Sequence, residues 1–274
     1  MQYELFSQHK YKFFSLGSGS SGNCYYLGSN EGGILIDAGI GIRNINKALR
    51  EYGVSFHKIK GVLITHDHAD HIKTVGCLGD KHNIPIYATE AVHEGIARNK
   101  AVQAELYQSK RIVEKEQPFL ISDFKITAFD VPHDSVENVG YHIEFDNQTF
   151  VLITDIGRIT DKIKKYASRA NHLVIEANYD EFMLQTGKYP YMLKQRICNG
   201  MGHLSNRHTA EFLTSIYSKE LQNIWLCHLS QDNNHPEIAL KTVEQALLSE
   251  GVKVGSSVKL EILSRYKVSG LREF

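Results

Sequence analysis

At 274 residues, with 42% hydrophobic and 23% charged side chains, the chain has the proportions of a soluble globular protein with a sizeable core. Its 31 basic side chains are matched by 31 acidic ones, so no overall positive field marks it for nucleic acid, and any polyanion must be met by a local patch. Four scattered cysteines, Cys24, Cys77, Cys198 and Cys227, form no C-x-x-C pair, which argues against a disulfide framework or a zinc finger and suits a reducing cytoplasm.

The N-terminal stretch MQYELFSQHKYKFF has no apolar core of signal-peptide length, and no run approaches the roughly 20 apolar residues of a membrane span. A cytoplasmic location without membrane contact is expected. The first 40 residues read as short strands, YKFFSL, CYYLGS and GILIDAG, separated by Gly/Ser turns. The turn Gly17–Asn23 is either a plain tight turn or a backbone cradle for phosphate, in which case Ser18, Ser20, Ser21 and Asn23 are its candidate contacts. IRNINKALREYG has a helical pattern closed by Gly53. GVLI (61–64) then reads as a buried strand running into Thr65 and His66. Residues 110–154 give successive strands, RIV, PFLI, FKITAFDV, VGYHIEF and QTFVLIT. The last third alternates helices with the apolar strands HLVIEA, NIWLCH and VKLEIL. With five prolines and no Pro/Gly/Ser-rich linker, one domain over 1–274 is expected.

A faint internal repeat runs through this order. GILIDAG (33–39) and FVLITDIG (150–157) both place an aspartate, Asp37 or Asp155, at the end of an apolar strand. An amphipathic helix follows each, IRNINKALREYG in one half and RITDKIKKYASRA in the other, and leads to a second strand ending in His66 or Glu176. This predicts two similar units facing each other, with polar strand ends converging on one edge.

The chemistry concentrates in THDHADH (65–71). Imidazole and carboxylate together suit zinc, manganese or iron. His66 and His68, two apart, can point the same way, while Asp70 and His71 are aimed elsewhere as a helix starts, so one loop can feed two ions. The plain alternative is a solvated polar loop. His133, in DVPHDS, is a further candidate ligand, with Pro132 fixing its turn and Asp134 placed to orient its ring. Asp155 is either a bridge between two cations or a helix N-cap. Asp37 either ligates or holds the His66–His71 loop through backbone N–H groups, and the second role is favoured. His228, ending NIWLC, is the candidate for the second ion. His203, in GMGHLSN, is a proton donor, a phosphate contact or a competing ligand. Ser205 or Asn206 can cap the helix NRHTAEFL, whose N-terminus attracts phosphate, so Ser205 joins the phosphate candidates. His208 is expected on the helix surface. His9, His57, His82, His93, His142, His172 and His235 carry no motif and are taken as incidental.

His66-x-His68-x-Asp70-His71, with Asp37 upstream and His133, Asp155 and His228 downstream in that order, resembles the metallo-β-lactamase superfamily over essentially the whole chain. The resemblance implies an α/β fold, the αβ/βα four-layer sandwich, with two divalent ions at one edge: zinc or manganese, with iron also admissible. It implies that His66, His68 and His133 hold one ion, that Asp70, His71 and His228 hold the other, and that Asp155 bridges them. SLGSGSSGN, VPHDSVENVGY, TDIG, GHLSN and CHLSQDNN together resemble the YycJ/WalJ group, described as DNA-directed exonucleases related to ribonuclease Z and the PhnP phosphodiesterase. Glu176 and His203 are similar to ribonuclease Z positions that assist proton transfer. The expected activity is therefore phosphodiester hydrolysis of nucleic acid, DNA first, by a metal-activated hydroxide, with Asp70, His203 and Glu176 as catalytic residues. The competing reading is a carbonyl hydrolase, acting on a thioester or lactone, that uses the same dinuclear site. Oligomeric state is not legible from the sequence.

Overall fold

The computed structural model describes residues 11–102 and 104–274. His9 and most of the stretch read for a signal peptide lie outside the described residues. Two seven-stranded sheets carry the architecture. The first runs β14 (Arg272–Glu273), β1 (Lys12–Gly17), β2 (Cys24–Gly28), β3 (Gly33–Ile36), β4 (Ile59–Leu63), β5 (Ile86–Ala88) and β6 (Lys110–Ile112). The second runs β13 (Lys259–Ile262), β12 (Asn223–Cys227), β11 (His172–Glu176), β10 (Gln148–Ile153), β9 (Val139–Phe145), β8 (Phe124–Asp130) and β7 (Phe119–Ile121).

Both sheets are mixed in the same way. Pairing is antiparallel from β1 to β3 and from β7 to β10. It is parallel from β3 to β6 and from β10 to β13. The strands β3–β4 and β10–β11 are joined by the helices α1 (Ile42–Glu51) and α4 (Asp161–Ala167), so the internal repeat is real at the level of topology. It extends to the backbone: Asp37 and Asp155 both adopt left-handed φ, 60° and 54°, just past the ends of β3 and β10. Aspartate is one of the few residues with a Cβ that tolerates this region.

The continuous apolar runs of β3 and β10 follow from burial on both faces. Ile34, Ile36, Phe150 and Leu152 point between the sheets, where they meet Phe13, Tyr25, Tyr141 and Trp225. The Phe13 ring sits 4.6 Å from Trp225 and 5.0 Å from Phe150, centroid to centroid. Burying each such side chain contributes about 1.5–3 kcal/mol. Leu35 points outward to Ile45 and Leu49 of α1 and to Val92 and Ile96 of α3 (Glu90–Arg98). Val151 points outward to a layer built from α4, α7 (Asn206–Ile216) and α8 (Pro236–Ser249), through Ile163, Leu213 and Val243. The layers thus run helix, sheet, sheet, helix, the expected four-layer αβ/βα sandwich. Shorter helices are α2 (Ala69–Ile72), α5 (Glu181–Thr186) and α6 (Tyr191–Cys198). Among the described residues, no helix is long and apolar enough to cross a membrane.

Some local readings differ. The second amphipathic helix spans 161–167 rather than 158–170, because Thr160 caps it through a bond from the Ile163 N–H. Two histidines taken as incidental are structural. His172 is fully buried between the Asn223 amide and Gln148, at 2.8 and 3.1 Å, and His235 is the N-cap of α8.

Candidate active site

The candidate ligands and Glu176 sit at strand ends on the same edge of the two sheets, while His203 lies between α6 and α7. The run 65–71 follows β4, His133 follows β8, Asp155 follows β10, Glu176 ends β11 and His228 follows β12. Their donor atoms converge. His66, His68 and His133 form one group with all ligand atoms within 4.8 Å of one another, and Asp70, His71 and His228 form a second. Asp155 reaches both sides: Oδ1 lies 3.8 Å from His133 Nε2, and Oδ2 lies 3.3 Å from His71 Nε2. His133 Nε2 is 3.4 Å from His68 Nδ1, and Asp70 Oδ2 is 3.5 and 3.6 Å from Nε2 of His71 and His228.

Two buried atoms test whether this arrangement suits a cation. Nε2 of His66 and Nε2 of His228 have no hydrogen-bond partner, although each ring is held from its other nitrogen: Thr65 Oγ1 lies 3.0 Å from His66 Nδ1, and Glu176 Oε1 lies 3.1 Å from His228 Nδ1. Buried polar atoms are normally satisfied, and an imidazole lone pair flanked by carboxylates is satisfied by a divalent ion. The donor set fits.

The supports are as specific as the donors. Asp37 accepts from Thr65 N at 2.9 Å, from the Thr65 hydroxyl and from His71 Nδ1 at 2.7 Å. It therefore holds the run by one backbone N–H, as favoured above, and also by two side chains. The turn after β3 packs directly on the run. Ala38 N donates to His71 O, and Asn23 N donates to Asp70 O. A Cβ at Gly39 would lie 1.6 Å from the Asp70 carbonyl oxygen, so only glycine allows this approach.

Several expected phosphate contacts are spent elsewhere. Ser18 is buried and its hydroxyl accepts from His228 N at 3.0 Å. Asn23 is buried, with its amide 2.9 Å from His71 Nε2 and 3.3 Å from Asp70 Oδ2. Ser205 is buried as the N-cap of α7, accepting from His208 N and donating to Glu181. Ser20 and Ser21 are exposed, and of the two only Ser20 faces the cavity over the cluster. Asp134 does not orient His133 from behind. That task belongs to the Gly202 carbonyl, 2.9 Å from Nδ1, while Asp134 sits 3.3 Å from the opposite nitrogen and is paired with Arg196. Sequence reasoning passed over Thr65, Asn138 and Asn178. Asn138 donates to the Asp155 carbonyl at 2.8 Å, and Asn178 donates to the His228 carbonyl at 2.8 Å. Asn138 and Asn178 lie in VPHDSVENVGY and IEANYD, segments already notable beside His133 and Glu176.

The profile of the Beta-lactamase superfamily domain matches residues 33–224. The chain belongs to the metallo-β-lactamase superfamily. It is 34% identical over 248 residues to Exodeoxyribonuclease YycJ of Bacillus anthracis, covering 90% of this chain and 93% of that one. It is 35% identical over 254 residues to Exodeoxyribonuclease WalJ of Streptococcus pneumoniae, covering 93% and 94%. The crystal structure of the metallo-β-lactamase fold protein YhfI from Bacillus subtilis matches with a TM-score of 0.73 at 18% identity, over 97% of this chain and all of that one, a likeness of fold. As a member of the superfamily the protein is a hydrolase, on a fold that binds divalent metal.

Electrostatics in this metallo-β-lactamase site follow from carboxylates packed among imidazoles. Burial alone would favour neutral groups, and it holds the His66 and His133 rings below their usual value. For His228 the same desolvation is outweighed by Asp155, Asp70 and Glu176, and its pKa is pushed up to about 10. For Asp155 desolvation is outweighed by His228 and His71, which hold it well below the carboxylate range. Asp70 falls to about 2 against its own desolvation, chiefly through His71 and His228. Cations entering such a cluster displace protons from the imidazoles, so metal binding is coupled to pH.

Beside the cluster, His203 Nδ1 is 2.7 Å from Glu176 Oε1. Glu176 Oε2 is itself fixed by the backbone N–H groups of Ile156 and Leu204, at 2.7 and 3.1 Å. Burial lowers the His203 pKa, but Glu176 more than compensates and the net shift is upward. A cavity of about 260 Å³ opens over Asp70, Asp155, His203 and His228.

Proposed function

We propose that this protein is a metal-dependent phosphodiesterase that acts on DNA as an exonuclease. The observation that carries the reading is the His203–Glu176 pair set against the edge of the seven-donor cluster, where an acid can meet a leaving oxygen. Relatives at 34% and 35% identity are named exodeoxyribonucleases, which favours a deoxyribonucleic strand. In this reading His66, His68 and His133 hold one divalent ion, Asp70, His71 and His228 hold a second, and Asp155 faces both. Zinc and manganese suit these ligands, and iron is admissible. Such ions supply Lewis acidity to a phosphoryl oxygen and acidify water at neutral pH.

The chain's own residues do the rest. Donating Nδ1–H to Glu176 leaves His203 Nε2 as the atom that delivers a proton to the departing alkoxide. Glu176 stabilises the charged imidazole and, through its two backbone bonds, keeps it in place. Asp155 is almost wholly buried, so its charge acts in a medium that screens it weakly. The protein acts as one domain over 1–274, in the cytoplasm, where its four unpaired cysteines are at home.

A substrate panel tests this: bis-p-nitrophenyl phosphate, then DNA and RNA oligonucleotides with and without a 5′-phosphate, each with manganese and with zinc, beside lactone and thioester controls. Phosphodiester hydrolysis is expected, and His68→Ala is expected to abolish it while the chain stays folded. Retained turnover in that variant, or preference for the carbonyl controls, rules the reading out.

A further inference from the structure

A chain of zero net charge that takes a polyanion has to meet it with a local patch. The catalytic cavity does not supply one. Asp70, Asp134 and Asp155 line it, and its arginine, Arg196, is already paired with Asp134. Metal ions there answer the charge of the scissile phosphate, not that of the phosphates on either side of it.

A second cavity, of about 520 Å³, shares the turn Gly17–Asn23 with the first: Ser20 faces the catalytic cavity and Ser21 lines the second. Four cations line this second cavity, against a single carboxylate, Glu51. They are Lys47 of α1, Lys73 just past α2, and Arg265 and Lys267 in the segment after β13. The three lysines are exposed, and among the described residues none of them is ion-paired. The charge of Arg265 is not met by a carboxylate either. Its guanidinium donates to the Ser20 hydroxyl at 2.9 Å and to the Leu229 carbonyl, next to His228. Arg265 thus lines one cavity while fixing the rim of the other.

The second cavity also backs onto the metal run. Ile40 and Gly41, which line it, belong to the turn after β3, whose Gly39 packs on the Asp70 carbonyl, and Lys73 stands two residues past His71. A cleft lined mostly by one sign of charge focuses its field and gathers the opposite charge. An anion that fills this cleft and also reaches the catalytic cavity across one turn has to be extended and charged along its length. A nucleic-acid backbone has that chemistry. Its phosphates are met from outside, so the bases need be neither paired nor unpaired.

We propose that the second cavity is a backbone-phosphate site for DNA, in which Lys47, Lys73 and Lys267 hold the strand flanking the scissile phosphate and Arg265 fixes the turn between the two cavities. This rests on the nuclease reading above and adds where the rest of the strand lies. Binding there is indifferent to sequence and steep in salt.

The test uses the full chain and the variant Lys47→Gln/Lys267→Gln, which leaves Arg265 and Lys73, beside the metal run, untouched. In the metal-loaded enzyme the KM for a DNA oligonucleotide should rise about tenfold or more at low salt. The kcat, and turnover of bis-p-nitrophenyl phosphate, which is too small to reach the groove, should stay unchanged. Binding of a fluorescein-labelled duplex is read separately in EDTA, by anisotropy. The slope of log Kd against log salt should become shallower by about 0.9 for each phosphate contact removed, about 1.8 for the two. Lys47→Arg/Lys267→Arg should keep both the KM and the slope of the wild type. Neutral methylphosphonate linkages placed away from the cut should raise the wild-type KM and leave that of the Gln variant unmoved. An unchanged slope with an unchanged KM overturns the proposal. So does an equal loss on the small substrate, which would make these lysines part of the catalytic site. Binding to phosphatidylserine vesicles that the Gln variant loses, with its DNA slope unmoved, would give the groove to a lipid surface and overturn it as well. If the wild type hydrolyses no phosphodiester, the nuclease reading fails, while the salt slope measured in EDTA still decides the groove.

Discussion

Replacing Asp37 by Asn tests the proposed division of the donor cluster into two metal sites. The side chains are nearly isosteric and asparagine also tolerates the φ of 60° at this position, so the turn after β3 should survive. What changes is chemistry. Asp37 accepts four contacts, from Thr65 N, from the Thr65 hydroxyl at both oxygens, and from His71 Nδ1 at 2.7 Å. An amide cannot accept all of them, and its NH₂ must face a donor. The bond to the imidazole is charge-assisted and contributes about 1.5–3 kcal/mol. Its loss leaves the His71 ring free to turn and less basic at Nε2, the atom offered to the cluster. Outer partners of this kind typically govern a factor of about 10–100 in metal affinity, or roughly 1.4–2.8 kcal/mol. Titration against a chromophoric chelator should resolve two equivalents in the wild type. In Asp37→Asn the one held by Asp70, His71 and His228 should weaken by that factor, while the one held by His66, His68 and His133 should be unmoved. Equal weakening of both, or no change in either, would refute the division of ligands, provided the melting curve shows a folded variant.

His203→Ala should slow phosphodiester cleavage by about 10²–10⁴ with both metal equivalents retained, as measured by turnover and by metal analysis. Loss of one equivalent would make His203 a ligand and displace His228. A pH effect is expected away from the cluster. Burial holds the His172 ring down to about 4 in the folded chain, against 6.5 for an exposed histidine. Between those values the unfolded chain binds a proton that the folded one refuses, so stability rises with pH across that window. The contribution is fully present above 6.5 and is lost as pH falls toward 4, reaching on the order of 3 kcal/mol. Urea unfolding of wild type and His172→Gln, compared from pH 4 to 7, isolates it from titration of the metal cluster. Parallel curves would refute it.

The strands were legible because burial on both faces makes them continuous apolar runs, as in GILI and FVLI, and the run 65–71 stood out because four candidate donors fall within six positions of it. Contacts that reach across the chain were not. The Ser18 hydroxyl is spent on a backbone N–H 210 residues away, and the carbonyl that sets the His133 ring belongs to Gly202, 69 residues on. A backbone carbonyl leaves no trace in side-chain identity, whereas Asp134, adjacent and acidic, was the visible candidate. Serines in a Gly-rich turn look alike until the turn is folded. Then Ser18 is buried beneath His228 and Ser20 is left facing the cavity. The helix α6 escaped for the opposite reason: with no buried residue it has no apolar periodicity to read.

The internal repeat explains why two equivalent aspartates end in different roles. Asp37 and Asp155 share a backbone conformation and a place in their sheets. In the first half, the loop after β4 folds back over the turn after β3. It is clamped there by Ala38 N to His71 O, by Thr74 N to Ala38 O and by the close approach that Gly39 permits. That loop carries the histidines, so it covers Asp37 with Thr65 and the His71 ring, and the carboxylate becomes their holder. In the second half, the segment after β11 packs differently. Glu176 takes the Ile156 and Leu204 N–H groups, and Asn178 takes the His228 carbonyl. The Asp155 carboxylate takes the Thr154 hydroxyl at 2.8 Å and otherwise faces the imidazoles of His71, His133 and His228. One loop, folded inward in one half only, turns a symmetric pair of strand ends into a support on one side and a candidate bridging ligand on the other.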